Sequence, residues 1–242
     1  NALYTRIEAI ESFAADVAHE LRNPLTSLRS AVETLPVAKS EQSRQRLLAV
    51  IEHDVKRLDR LISDISDASR LDAELQRQEA APVDLAKLLD ALVKAANEIR
   101  TDDVNVTLSF EGGPLSNFRV PGHDSRLGQV VSNLVDNARS FSPPGGTVRI
   151  TCRRLRSDVE ILVDDDGPGI QPEALEKIFE RFYTDRPEQG FGQNSGLGLS
   201  ISKQIIEAHG GTIRVQNRIT VSGRTEEPRV LGARFVVRLP AM

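Results

Sequence analysis

Apolar or small residues recur at Leu3, Ile7, Ile10, Ala14, Val17, Leu21, Leu28, Ala31 and Leu35, in alternating steps of four and three, and Pro24 fills the one gap. This spacing is the seam of a helix packed in a bundle. Inside it lies His19-Glu20-Leu21-Arg22-Asn23-Pro24. If Val17 and Leu21 point inward, His19 stands near the opposite side, because two helical residues turn through about 200°. Its imidazole should therefore face solvent. Pro24 has no N–H to give the carbonyl of Glu20 and its ring crowds that carbonyl, so a bend is expected beside His19. Asn23 stands four residues on, on the same face as His19. The alternative is an incidental surface histidine with an incidental proline.

The chain's 242 residues, 39% hydrophobic, suit one large or two ordinary globular domains. With 31 basic and 35 acidic residues the net charge is −4, and no basic block stands out, which argues against nucleic acid as a partner. The single cysteine, Cys152, has no thiol to pair with and reads as a packing residue in a strand. No apolar run approaches the ~18 residues of a membrane helix, and no signal peptide opens the chain. Because heptad-like spacing begins almost at Asn1, the chain reads as a cytoplasmic fragment whose helix continues from something longer.

The first helix should run from about Tyr4 to Leu35 and end at Pro36. Ser40 with Glu41 then caps a second helix extending to about Leu71. Its apolar residues, Leu47, Leu48, Ile51, Val55, Leu58, Leu61, Ile62 and Ile65, form a face broader than a two-helix seam needs. Pairing with a second copy into a four-helix bundle would bury it, so a homodimer is expected. Ala73 to Pro82 reads as a polar linker, and mixed α and β patterns follow. Helices are expected at Asp84–Arg100, His123–Ser140, Pro172–Ile178 and Leu197–Ala208. Strands are expected at Val104–Phe110, Asn117–Val120, Thr147–Leu155, Val159–Val163, Gly211–Val215 and Ala233–Leu239, which together make a two-layer α/β sandwich.

Three clusters in this second part carry chemistry. Asn133 and Asn137 lie four apart on one helix face, while Val130, Val131 and Leu134 serve the core; amide oxygens suit Mg²⁺, which takes phosphates and waters as its other ligands. Asp164-Asp165-Asp166-Gly167-Pro168-Gly169 follows a strand directly. A tight turn wants the same residues, but a carboxylate there could also accept from an exocyclic amine while the glycines let a flat base approach. Gly192-Gln-Asn-Ser195-Gly196-Leu197-Gly198 runs into a helix N-terminus, where free N–H groups attract phosphate. This loop is neither a Walker loop nor a Rossmann fingerprint.

In order, His-Glu-Leu-Arg-Asn-Pro, Asn-Leu-Val-Asp-Asn-Ala, Asp-Asp-Gly-Pro-Gly-Ile, Ile178-Phe179-Glu-Arg-Phe182 and Ser-Gly-Leu-Gly-Leu resemble the H, N, G1, F and G2 boxes of the sensor histidine kinases. The resemblance runs from about Ile7 to Leu239. The tracts Arg-Ile-Glu-Ala-Ile-Glu-Ser-Phe-Ala-Ala-Asp-Val and Phe-Tyr-Thr-Asp-Arg-Pro further resemble the ChvG/ExoS group of alphaproteobacterial envelope-stress sensors.

The resemblance implies a dimerisation and histidine phosphotransfer domain over 1–77 and a catalytic domain of the Bergerat-type ATP-binding fold over 78–242. By it His19 is the phosphoacceptor, Glu20 holds the other ring nitrogen and acts as its base, and Asn23 positions a water for dephosphorylating a response regulator's receiver domain. Asn137, with Asn133, holds Mg²⁺ on the phosphates of ATP; Asp165 binds the adenine amino group; Gly167 and Gly169 line the base pocket; Phe141 stacks on the base. Ser195, Gly196, Leu197 and Gly198 support a lid over the phosphates, which Phe179 and Phe182 anchor. The chain would then be the cytoplasmic portion of an inner-membrane sensor.

Many relatives carry a Lys or Arg where Ser140 stands, Asn194 takes the place of the first G2 glycine, and Asn23 that of the commoner Thr. None of these removes an essential group. Two other readings fit parts of the pattern: an Hsp90- or gyrase-type ATPase, which needs no acceptor histidine, and a dimeric scaffold that binds ATP without phosphotransfer.

Overall fold

The computed structural model describes residues 2–77, 80–98, 103–183, 195–220 and 229–242, with the side chains of 2, 3, 5–10, 12 and 71–77 left out. The seam positions Leu3, Ile7 and Ile10 therefore lie outside the described side chains. The chain divides into two compact units, residues 1–72 with 180–198 and residues 73–179 with 199–242.

The first unit is a helical hairpin. Helix α1 spans Ala2–Thr34, a 3₁₀ turn covers Leu35–Val37, and α2 spans Glu41–Arg77. Pro36 sits at the start of the 3₁₀ turn, where a missing N–H costs little. Ser40 caps α2 through its Oγ, which accepts the Ser43 N–H at 3.1 Å. Helix α1 runs through Pro24 without a break; the ring is buried, and the Thr26 hydroxyl donates to the Arg22 carbonyl at 2.8 Å. Ala31 and Leu61 are buried, whereas Leu25 and Val32 on α1 and Leu48, Val55 and Ile62 on α2 are exposed, each set seven residues apart. The expected end of α2 at Leu71 falls short, because Ala73-Glu-Leu-Gln-Arg77 are strong helix formers and carry the helix into what reads as linker.

The second unit is a five-stranded sheet in the order β2-β4-β5-β7-β6. Its strands are β2 Asn105–Glu111, β4 Thr147–Arg154, β5 Asp158–Asp164, β6 Thr212–Thr220 and β7 Arg229–Pro240. Only the β2–β4 pair is parallel; β4–β5, β5–β7 and β6–β7 are antiparallel. A separate ladder pairs β1, Ala81–Asp84, with β3, Arg119–Gly122. Strand β1 begins in the tract expected to be linker and ends at Asp84, the expected start of a helix: it is four residues long, contains Pro82 and shows no alternation. The short helix expected at Pro172–Ile178 is instead two 3₁₀ turns, Pro172–Ala174 and Lys177–Phe179.

Helices α3, Leu85–Glu98, α4, Asp124–Phe141, and α5, Gly198–Ala208, complete the layer. Helix α4 packs on β4 and β5, and α3 packs on β2 and α4. The apolar stripe Leu127, Val130, Val131 and Leu134 of α4 joins Val148 and Ile150 of β4 and Ile161 and Val163 of β5 in the core. Central strand β5 is buried on both faces, which explains its near-continuous apolar run. At the start of α4 the His123 N–H donates to His209 Nε2 at 3.1 Å, and His209 Nδ1 faces the Ile205 carbonyl at 2.7 Å. Burial of His209 lowers its pKa. Both histidines thus have structural work at a helix start.

Candidate functional site

In the hairpin unit His19 is exposed on α1. Glu20 is half-buried and accepts a hydrogen bond from Arg57 of α2, Nη2 to Oε2 at 3.3 Å. Glu20 is thus tied across the hairpin, a link the one-helix pattern around His19 could not reveal. Asn23 is exposed one turn on, so His19 and Asn23 share a solvent face as expected.

The second segment of this unit holds the described part of the glycine-rich stretch. The Phe182 N–H donates to the Gly196 carbonyl at 2.9 Å, with Phe182 at φ 61° and Gly196 at φ 73°. A Cβ on Gly196 would lie 2.7 Å from Phe182 Cα, so this close pairing requires glycine. The Phe182 ring stacks on Phe13 at 6.4 Å, and the Arg181 guanidinium lies 4.8 Å over the Phe13 ring. The Ser195 hydroxyl donates to Asp64 and accepts the Leu197 N–H at 3.1 Å. Burial raises the Asp64 pKa, and the Ser195 hydrogen bond opposes that rise. Leu197 is buried and Gly198 opens α5. Gly192, Gln193 and Asn194 lie outside the described residues.

In the sheet unit Asp165 is 3% exposed just past the end of β5. Successive strand residues point to opposite faces, so Asp164 and Asp166 go one way and Asp165 the other. Asp164 is gripped by Arg234 at 2.7 and 2.6 Å and flanked by Arg218 at 3.5 Å. Asp166 takes Arg149 at 2.7 and 3.1 Å, the Thr147 N–H at 3.0 Å and Arg218 at 3.2 Å. The Arg149 hydrogen bond holds the Asp166 carboxyl below its usual range. Three arginines thus occupy the flanking carboxylates and leave the middle one for other use.

Asp165 Oδ1 accepts the N–H groups of Gly167 and Ala233, both at 2.9 Å. With both donors on one oxygen, Oδ2 is left to accept from a ligand amine. Burial raises the Asp165 pKa, opposed by those two backbone bonds and by Arg218. A Cβ on Gly167 would lie 2.8 Å from the Phe141 carbonyl oxygen, and Gly169 adopts φ 80°. Phe141, at the end of α4, is 41% exposed, a position from which its ring could stack on a base.

Asn133 and Asn137 are half-buried on one face of α4, and Asn133 Nδ2 donates to Ser202 of α5 at 3.4 Å. Their amide oxygens are the hard donors that Mg²⁺ prefers, while no cluster of three or more His, Cys, Asp or Glu among the described residues could hold a metal. The donors therefore suit an ion that draws most of its ligands from phosphate and water. Arg139 donates to the Ala96 carbonyl at 2.6 Å, and Ser140 Oγ donates to the Asn137 carbonyl at 2.8 Å, so Arg139 is engaged on α3. Phe179 meets Phe235 edge-on at 6.4 Å. Sequence reasoning missed Arg149, Arg218, Arg234, Asn217 and Gly232. The one signal was Gly232 itself, since a glycine inside a strand marks a close backbone approach.

Residues 122–242 match the profile of the histidine kinase-, DNA gyrase B- and HSP90-like ATPases, and residues 9–74 match the His kinase A phosphoacceptor domain. The chain belongs to the sensor histidine kinase family. It is 59% identical over 248 residues to the sensor protein ChvG of Rhizobium meliloti, covering 99% of this chain and 42% of that protein. To ChvG of Agrobacterium fabrum it is 57% identical over 246 residues, covering 99% of this chain and 40% of that one. The chain thus spans about two fifths of these relatives. Histidine kinase ThkA, solved in complex with response regulator protein TrrA, superposes with a TM-score of 0.72 at 26% identity, over 99% of this chain and 64% of that one. The family's ATPase and phosphoacceptor domains account for the sheet unit and the hairpin, and the likeness to the ChvG group stands. No helix among the described residues is long and apolar enough to cross a membrane.

Proposed function

We propose that this chain uses MgATP to phosphorylate itself on His19 and passes the phosphoryl group to an aspartate of a response regulator receiver domain. The observation that carries the reading is Asp165, buried, with both backbone donors on Oδ1 and the neighbouring carboxylates neutralised by arginines. Such a carboxylate accepts the amino group of adenine and rejects guanine, which offers a carbonyl at that place. Gly167 and Gly169 let the flat base approach the backbone, and Phe141 supplies a ring to stack on it.

In the transfer a ring nitrogen of His19 attacks the γ-phosphorus while the bond to the ADP oxygen breaks, and Glu20 takes the proton from the other ring nitrogen. The Arg57 hydrogen bond orients Glu20 for that role. Asn137, with Asn133, would hold Mg²⁺, which neutralises charge on the phosphates. By the same resemblance Ser195, Gly196, Leu197 and Gly198 would support a lid over the phosphates, anchored by Phe179 and Phe182. Residues 1–77 would carry dimerisation and phosphotransfer, and residues 78–242 catalysis. Asn23 positions the water that removes phosphate from the regulator.

We also propose a homodimer. The exposed rows Leu25 and Val32, and Leu48, Val55 and Ile62, are the faces that pairing with a second hairpin would bury. The relatives' greater length and their naming as sensors support a place as the cytoplasmic part of an inner-membrane sensor. Mixing the labelled protein with a purified receiver domain tests the reading: label should leave the kinase and appear on the receiver as an acyl phosphate, cleaved by base and by hydroxylamine. Label that never leaves would contradict the transfer step.

A further inference from the structure

We infer that Asn217 is a positioning residue for the nucleotide, fixing the backbone of Gly169 and Ile170 and with it one wall of the base pocket. The inference rests on the reading of Asp165 to Gly169 as an adenine site. Asn217, on β6, is half-buried and turns both ends of its amide on one residue. Its Oδ1 accepts the Ile170 N–H at 2.8 Å and its Nδ2 donates to the Ile170 carbonyl at 2.7 Å. An amide that closes two bonds on a single residue supplies what a neighbouring strand would supply, at a point where Ile170 has left the sheet.

The residue just before demands the same accuracy. Gly169 has φ 80°, and a Cβ there would lie 2.9 Å from Asn217 Oδ1 and 2.5 Å from Val230 Cγ1. The glycine and the asparagine are therefore fitted to each other. Arg218, the next residue, holds the other end of the loop by donating to the Asp165 carbonyl at 2.6 Å. Adjacent residues of one strand thus clamp the two ends of the stretch that contains Asp165, Gly167 and Gly169. The backbone pairing of Asn217 with Ala233 does not involve the amide side chain, so its removal spares the β6–β7 ladder.

The test is the ATP dependence of self-labelling by the whole protein with Mg²⁺, for wild type, Asn217→Ala and Asn217→Ser. Asn217→Ala should raise the ATP concentration for half-maximal rate about tenfold, the size of one net hydrogen bond. Its rate at saturating ATP should stay within about twofold of wild type, because the attacking and leaving groups are untouched. Asn217→Ser keeps one hydroxyl and should fall between the two; it also carries the test if the alanine variant does not fold. Half-maximal concentrations equal to wild type, or a lower saturating rate with that concentration unchanged, would overturn the inference while leaving the adenine site intact. A wild type that neither labels itself nor binds ATP would overturn the site reading itself, and this inference with it.

Discussion

Asp165 and Ala233 are bonded twice: the Asp165 N–H donates to the Ala233 carbonyl at 3.1 Å, and Asp165 Oδ1 accepts the Ala233 N–H at 2.9 Å. Backbone and side chain of the aspartate are thus fixed by one residue of β7, and the carboxylate is set before any nucleotide arrives. Preorganisation of this kind lowers the ordering that binding would otherwise require.

Asp165→Asn tests what that carboxylate is for. The amide oxygen can still take the two backbone N–H groups, but its nitrogen faces the adenine amine as a second donor. ATP affinity should fall about 10- to 100-fold, the range of a charge-assisted hydrogen bond. Because burial raises the Asp165 pKa, the folded state disfavours the ionised form, so the variant's nucleotide-free melting temperature should equal or exceed that of wild type. Calorimetric titration with ATP and a thermal melt check the two halves separately.

The same shift sets a pH dependence. Asp165, raised, lends the fold stability that grows as pH falls through its folded pKa towards the ordinary 3.8. Asp166, lowered, lends stability that is complete above 3.8 and is lost as pH falls through its folded value. Acidification should therefore weaken ATP binding through Asp165 before it weakens the fold through Asp166. ATP titrations and melts from neutral pH down to about pH 4 check this: binding should weaken within that range, while the Asp166 contribution to the fold, lost only below 3.8, should persist.

Gly232→Ala should destabilise the sheet unit by about 2 kcal/mol or more. Gly232 has φ 142°, and a Cβ there would overlap the Asp165 carbonyl oxygen and come within 2.9 Å of its Oδ1. Relief of that overlap would displace Asp165, so ATP affinity should fall with the melting temperature. A variant with wild-type stability and affinity would show that the close approach is not needed.

Ile62→Glu tests the dimer. Ile62 is 55% exposed and stands seven residues from Val55. A charge in the middle of a buried seam is strongly unfavourable, so the variant should elute and scatter light as a monomer at concentrations where wild type is a dimer. Helical content should hold, because Leu61, the fully buried side chain beside it, is untouched.

Asn23→Ala should label itself at a rate within about twofold of wild type and slow the loss of phosphate from the receiver at least about tenfold, the step that needs a positioned water. Equal loss of both activities would make Asn23 structural.

Much of this was legible along the chain because it is local. The four-and-three spacing gives the hairpin, Ser40 its cap, and the run Val159 to Val163 the central strand. The face shared by His19 and Asn23 follows from helix geometry alone. What stayed hidden depends on residues far apart in sequence. Glu20 meets Arg57, Asp164 meets Arg234, and Ile170 meets Asn217 only once the fold brings them together. In Asp164-Asp165-Asp166 the sequence shows equal carboxylates; the arginines of β4, β6 and β7 decide which one is left for a ligand. The start of β1 and the last turns of α2 read as linker along the chain because four residues with a proline show no period, and a polar tract of helix formers looks like a loop.

The central claim, that His19 receives the phosphoryl group, is tested most directly by incubating wild type and His19→Ala with γ-labelled ATP and Mg²⁺ and treating the products with acid and base. Label on wild type alone, lost in acid and kept in base, with ATP binding retained by the variant, is the expected result. Label retained on His19→Ala, or its absence from wild type that binds ATP, would contradict it.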